Sequence, residues 1–356
     1  MMGLSEEHRL IGDAVEALLA ETAGIEQLRA IVEADTGFDA GLWETMAEEM
    51  GLVGLMVPEA FGGSGMDAQA MMLILNETGR RLAVVPYFET AVLAVQSILT
   101  AGDDDQKAAL LPEIAAGQVK STVAGLSLRP ALEGGRLKGE ATHVPFGHVA
   151  DQFIVFAADG SILLVPTDAE GVTITRTPNM DLTRPLSHVH FNIAVSDVTV
   201  LSNGGTAAQE YIRTLASGFQ AAEQTGAAAF CLEATVAYGL ERKQFGRQIA
   251  SFQAVKHILA DMMLKIEASR SAVLYAAYAI DTGGDVDDAC AAAASWATQT
   301  LQKCASEQIQ LHGGVGFTWE HHAHLYFKRA RSSASWLRTA SQHRERIAAR
   351  LLDDAA

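Results

Sequence analysis

Positive charge is scarce in this chain. Its 356 residues carry 26 Lys and Arg against 43 Asp and Glu, a formal net charge of −17. Such an excess repels phosphate backbones and anionic lipid heads, which argues against nucleic-acid and membrane partners. Cysteine is scarcer still, with only Cys231, Cys290 and Cys304. They form no C-x-x-C pair and fall within helical patterns, so they read as buried thiols of a reducing compartment. Long apolar runs are missing, and none reaches the roughly 18 residues of a membrane span. The opening residues Met1 to His8 show no basic stretch ahead of an apolar one. The expectation is a cytoplasmic protein without a secretory leader. Hydrophobic residues are plentiful at 49%, enough for a large core. The length fits two or three domains.

Residues 1–118 read as an N-terminal α-helical domain. Leu10, Ile11, Ala14, Val15, Leu18 and Leu19 recur at helical spacing over 7–20. Further short helices are expected over 42–52, from an Asp67 N-cap to Arg81, and over 106–116. Pro58, Gly62, Gly63 and Gly65 make 57–65 a loop. The pattern changes over 119–204. Short runs such as Phe153-Ile154-Val155-Phe156, Ile162 to Val165, Val172 to Thr175 and His188 to Phe191 predict strands. Glu133-Gly134-Gly135 and Asp159-Gly160 are hairpin signals. This is a small, shortened β-domain, a barrel or a sandwich. From 205 to 356 long helices return, over about 205–240, 251–282, 285–312 and 320–353, and predict a four-helix bundle. The fold class is therefore α+β multidomain, mainly α, in the order α, β, α.

Two segments of the last part carry the chemistry. Glu241-Arg242-Lys243-Gln244-Phe245-Gly246-Arg247-Gln248 puts basic groups at a helix boundary. Gln310-Leu311-His312-Gly313-Gly314-Val315-Gly316 puts bare backbone beside a helix end. Together they suit an anion with a large planar appendage, such as a pyrophosphate carrying adenosine.

With those two motifs in order, separated by a helical hairpin, the chain resembles the acyl-CoA dehydrogenase family over nearly its full length. Gly51 to Glu59, Phe61 to Gly65, and Gln106-Lys107 to Gly117 look like that family's N-terminal domain. The resemblance implies FAD held across a subunit interface and oxidation of the Cα–Cβ bond of an acyl-CoA thioester. A glutamate takes the α-proton in such enzymes, and an electron-transfer flavoprotein is the implied acceptor. Carried over, Arg242 pairs with the pyrophosphate, and Gln244 and Phe245 line the same groove. Gln310 serves the adenosine end, and Gly313 and Gly314 admit the cofactor to the backbone.

The departures from the family pattern are specific. The usual base position falls at Leu337, within Trp336-Leu337-Arg338-Thr339. The alternative position, on the first bundle helix, falls at Ala216, beside Ser217. Neither is a carboxylate. The family's flavin-contacting stretches have no counterpart at Thr122 to Pro130, and Trp-Ile-Thr is replaced by His143-Val144-Pro145. The chain therefore resembles the smaller, base-lacking subunit of heteromeric (α2β2) acyl-CoA dehydrogenases that act on steroid side chains and other bulky thioesters. Asn179 to Arg184 also looks like that branch.

The expected partner is a full-length homologue that supplies the glutamate and takes most of the acyl-CoA contact. Two alternatives stand beside this reading. One is a self-sufficient enzyme with Glu223 as an unusual base, since that carboxylate lies on an apolar helix. The other is a non-enzymatic structural relative that binds no flavin. His321, His322 and His324 do not have a zinc-protease spacing and are read as surface or packing residues, so no metal is expected.

Overall fold

The computed structural model describes residues 4–34 and 36–353, so Met1 to Gly3, where the leader reading begins, lie outside it. The helices of the first part are α1 (Glu6–Thr22), α2 (Ile25–Glu33), α3 (Ala40–Glu44), α4 (Ala68–Arg81), α5 (Val95–Ala101) and α6 (Asp104–Ala115). Eight strands follow: β1 (Ser121–Ala124), β2 (Ala131–Glu133), β3 (Arg136–Pro145), β4 (Gln152–Phe156), β5 (Ile162–Pro166), β6 (Val172–Thr177), β7 (Leu186–Ala194) and β8 (Thr199–Val200). The last part holds α7 (Thr206–Glu241), a small hairpin of β9 (Lys243–Gln244) and β10 (Arg247–Gln248), then α8 (Gln253–Thr282), α9 (Val286–His312), α10 (Ala323–Ser333) and α11 (Ala340–Asp353). The expected α, β, α order is borne out.

Two compact units result. One gathers Met1–Leu28, Ala68–Ala83 and Ser217–Ala356; the other gathers Arg29–Asp67 and Val84–Ala216.

In the first unit, α1 opens with a capping box. Ser5 Oγ accepts the His8 amide at 3.1 Å, and the Ser5 amide donates to His8 Nδ1 at 3.2 Å. The first amide of α4, at Ala68, donates to Asp281 Oδ1 at 2.7 Å, so α8 supplies an acceptor at that helix start. The middle of α4 crosses α7 at backbone contact. A Cβ at Gly79 would lie 2.0 Å from the Glu223 carbonyl oxygen, and one at Gly226 would lie 1.8 Å from that of Asn76. No other residue fits at either point. The Ala-rich helix α9 packs on α8, α10 and α11, burying Ala289, Ala293, Ala297 and Ala305.

The expected fourth helix over 320–353 is instead two, α10 and α11, with a turn at 334–339. The cause is local. Leu337 is buried in the turn, and Thr339 and Gln342 form a reciprocal cap, with the Thr339 amide donating to Gln342 Oε1 at 2.8 Å and the Gln342 amide to Thr339 Oγ1 at 3.2 Å. Likewise the helix expected over 42–52 becomes α3, a π-helical turn at Thr45–Glu49 and a 3₁₀ turn at Leu52–Gly54, with Gly51 left-handed at φ 64° between them.

In the second unit the strands form two four-stranded sheets, ordered β1-β4-β5-β8 and β2-β3-β7-β6. They share one core. Leu137, Val144, Val189, Phe191 and Ile193 meet Phe153, Val155, Leu163 and Val165, with Phe153 edge-on to Phe191 at 5.9 Å. This is a sandwich, and the alternation along β7 turns Ser187, Val189, Phe191 and Ile193 inward. Glu133 pairs with Arg136 around Gly134 and Gly135, both left-handed, as the hairpin signal predicts. A bulge between Ala141 and Val144 puts His143 at φ 58°. A π-helical segment, Phe88–Ala94, precedes α5 and is wholly buried.

Candidate functional site

The first motif is a protruding hairpin. After α7 ends, Lys243 pairs with Gln248 and Gln244 with Arg247. The turn residues are Phe245 at φ 52° and Gly246 at φ 78°. Both central residues of such a turn need positive φ; glycine takes it freely and phenylalanine at a steric cost. Phe245 is nonetheless 92% exposed, held edge-on to Phe252 at 6.2 Å. Arg247 lies over that same Phe252 ring at 4.0 Å. Arg242, Lys243 and Gln244 are also exposed. The hairpin thus offers three cations and an aromatic face on a strongly acidic chain.

The second motif follows α9. Gly313 sits at φ 66°, ψ −147°, a conformation only glycine adopts readily, and the chain winds through a tight turn to Phe317. A Cβ added at Gly313 or Gly314 would meet nothing within 4 Å. The space over this backbone is open, so Gly314 is not demanded by packing within the chain. Gln310, Phe317 and Trp319 stand exposed around it.

The two motifs adjoin. The Arg242 amide donates to the Tyr238 carbonyl at 2.8 Å, and the Tyr238 ring stacks on His312 at 4.2 Å, directly ahead of Gly313. A basic edge, an exposed aromatic and an open glycine backbone at one end of one unit fit a pyrophosphate with a flat appended ring.

The remaining positions give no base. Leu337 is 3% exposed and Ala216 1% exposed, both apolar, and Ser217 is buried. Glu223 is buried but accepts from Arg329 Nη1 at 3.0 Å. That carboxylate is thus engaged in an interior ion pair with α10 rather than presented to a substrate. In the sandwich, Pro145 is buried in β3 and its carbonyl accepts from Thr122 Oγ1 at 2.7 Å. Sequence reasoning missed a second buried pair, Arg184 Nε to Glu89 Oε1 at 3.1 Å. Asn179 to Arg184 is locked around it. The Asp181 carboxylate accepts the Thr183 amide at 3.0 Å, and Asn179 Nδ2 donates to the Arg184 carbonyl at 3.1 Å. The one available signal was a Glu inside an otherwise apolar run.

The three thiols are buried. Burial pushes the Cys290 and Cys304 thiols up to about 12 and holds Cys231 well above the ordinary thiol range, so none is a nucleophile at neutral pH. His321 and His322 stack on each other at 4.3 Å, and His324 packs against Trp319 at 4.6 Å. Among the described residues no cluster of His, Cys, Asp or Glu is arranged to hold a metal ion, and no helix is long and apolar enough to cross a membrane.

Comparison with known proteins covers nearly the whole chain. Residues 5–118 match the family described as acyl-CoA dehydrogenase, N-terminal domain, and residues 213–352 match acyl-CoA dehydrogenase, C-terminal domain. Acyl-CoA dehydrogenase IpdE2 of Mycolicibacterium smegmatis is 36% identical over 346 residues, covering 97% of this chain and 99% of that protein. A chain of the ChsE4-ChsE5 complex from Mycobacterium tuberculosis superposes with a TM-score of 0.89 at 28% identity, covering 99% of each. A chain of the Tcur3481-Tcur3483 steroid ACAD, as its G363A variant, gives 0.88 at 29% identity, covering 98% of this chain and 99% of that one. The chain belongs to the acyl-CoA dehydrogenase family of flavin-dependent oxidoreductases.

Proposed function

We propose that this chain is the base-lacking subunit of a heteromeric acyl-CoA dehydrogenase, clamping FAD for a partner that supplies the catalytic glutamate. One contrast carries the reading. The exposed basic hairpin and the open Gly313-Gly314 turn are present, while Leu337 and Ala216 stand where a carboxylate belongs. The heteromeric complexes among the similar structures support it.

Arg242 meets the pyrophosphate oxygens, and its fork geometry suits two of them at once. Lys243 and Arg247 add positive potential, Gln244 and Phe245 line the groove, and Gln310 hydrogen-bonds near the adenosine. Gly313 and Gly314 bring backbone amides within reach. The flavin supplies the hydride acceptor for Cα–Cβ oxidation of a bulky, steroid-like acyl-CoA thioester. The α-proton goes to the partner's glutamate, and the electrons leave through an electron-transfer flavoprotein. The setting is the cytoplasm.

The alternative base, Glu223, is disfavoured by its pairing with Arg329. A non-enzymatic role leaves the solvent-facing Phe245 and its strained turn without a purpose.

Co-expression with a full-length homologue tests the reading. The expected product is a yellow complex with fewer flavins than chains, active on acyl-CoA only when the partner's glutamate is intact. A pair that stays colourless with FAD supplied, or an isolated chain that bleaches its own flavin with an acyl-CoA, overturns it.

A further inference from the structure

Between the two motifs lies a stack of rings that the proposed function does not use. Tyr238 from α7 lies on His312 from the end of α9 at 4.2 Å, with the ring planes 22° apart. His312 lies 4.4 Å from His321, and His321 lies 4.3 Å from His322. His322 then meets Phe230 of α7 edge-on at 5.5 Å, and Phe230 stacks on Tyr326 of α10 at 4.7 Å. The column starts and returns on α7, and it passes through the residue before Gly313.

Its hydrogen bonds assign the protons. A carbonyl only accepts, so the 2.7 Å contact between His312 Nδ1 and the Gln308 carbonyl makes Nδ1 the donor. The neutral ring then has a bare Nε2, which is buried and meets no partner among the described residues. The amide of Ala323, first residue of α10, donates to His321 Nδ1 at 3.1 Å, so that nitrogen carries no proton. A second proton on His321 removes an acceptor at the start of α10. A second proton on His312 places a charge in a buried ring beside another imidazole.

We propose that Tyr238 and His312 are positioning residues, a stacked joint that holds the Arg242 hairpin and the Gly313-Gly314 turn at one register and loosens when the His312 imidazole is protonated. The inference rests on the cofactor reading above, and its experiment separates the two. Tyr238 is tied to the hairpin through its carbonyl, which accepts the Arg242 amide at 2.8 Å, while Arg242 accepts the Ile249 amide at 2.9 Å and so closes the hairpin base. Its phenol donates to the His312 carbonyl at 3.4 Å. Among the described residues, Tyr238 from α7 and His321 from the following turn face the His312 ring; Gln308, on its own helix, is neutral. Burial holds the His312 pKa below the usual imidazole value, and the bond to the Gln308 carbonyl opposes that shift. The joint is therefore neutral, and closed, at cytoplasmic pH.

The experiment uses the FAD-loaded complex with its full-length partner and, in parallel, this chain alone in hydrogen–deuterium exchange. Tyr238→Leu is expected to weaken flavin retention roughly tenfold, because a binding site mispositioned by an ångström loses its function first. It should also speed amide exchange at Ile249 and across 313–318. Tyr238→Phe, which keeps the ring, should recover most of both. Wild type should shed flavin as the pH falls below the ordinary imidazole range, while His312→Phe, a ring without a titrating nitrogen, should hold it. Unchanged retention and exchange in Tyr238→Leu overturns the proposal, as does His312→Phe shedding flavin in acid as steeply as wild type. A wild-type complex without flavin at any pH defeats the cofactor reading instead, and the exchange arm still decides the joint.

Discussion

At the residue scale, the interior charge pairs decide what each carboxylate can do. Glu223 and Arg329 are 6% and 3% exposed, so their ion pair lies largely out of water. Removing one partner of such a pair strands the other. Glu223→Gln is expected to lower the unfolding free energy by about 3 kcal/mol, measured by chemical denaturation. The double change Glu223→Leu with Arg329→Met should recover most of that loss, because both charges of this pair are then gone. A general base would behave differently, since its amide variant keeps the stability and loses the chemistry. The sequence marks Glu223 as a carboxylate on an apolar helix, but its partner lies 106 residues away. Spacing along a chain reports which residues share a face, not what another helix brings to it. Glu89 and Arg184 were hidden for the same reason.

At the element scale, amphipathic period made most of the fold readable. Strand β7 and helices α8 and α9 were visible because one face is buried and the other wet, whereas β4 and β5, buried on both faces, were visible as short β-branched and aromatic runs broken by turns. The segment Phe88–Ala94 was not, since every residue of it is buried and a helix without a polar face has no period to read. Strand β3 was obscured by its bulge, which interrupts the alternation at Ala141. The split of the last helix had a signal in the sequence, the Thr339 and Gln342 of its reciprocal cap. Helix α11 also carries a pH-sensitive element. His343 is 3% exposed, and burial first, then the nearby Arg338 and Arg346, pulls it from 6.5 to about 4. Its folded pKa lies below the unfolded value, so its contribution is complete above about pH 6.5 and is lost as the pH falls through 4. The full loss is about 3 kcal/mol at the acid end. Denaturation midpoints between pH 7 and pH 4 should therefore fall less steeply for His343→Leu than for wild type.

At the scale of the whole molecule, the net charge of −17 and the basic hairpin have opposite consequences for an anionic ligand. The global field repels it, and Arg242, Lys243 and Arg247 reverse the sign locally. That contrast was legible in the sequence, as were the two motifs and the missing carboxylates. The strained presentation of Phe245 and the ring stack joining the motifs were not, because both depend on backbone dihedrals and on contacts between separate elements. Arg242 is exposed, so Arg242→Ala should change the stability of the chain by no more than about 0.5 kcal/mol. Its effect should appear in the assembled complex, where flavin content falls while the subunit ratio stays unchanged. Because the contact is solvent-facing, retention by wild type should weaken as salt shortens the roughly 10 Å screening length of 0.1 M solutions, and the variant should be less salt-sensitive. Equal flavin content and equal salt dependence in the two complexes would move the anion site away from this hairpin, and the clamp would have to be sought on the partner's own surface.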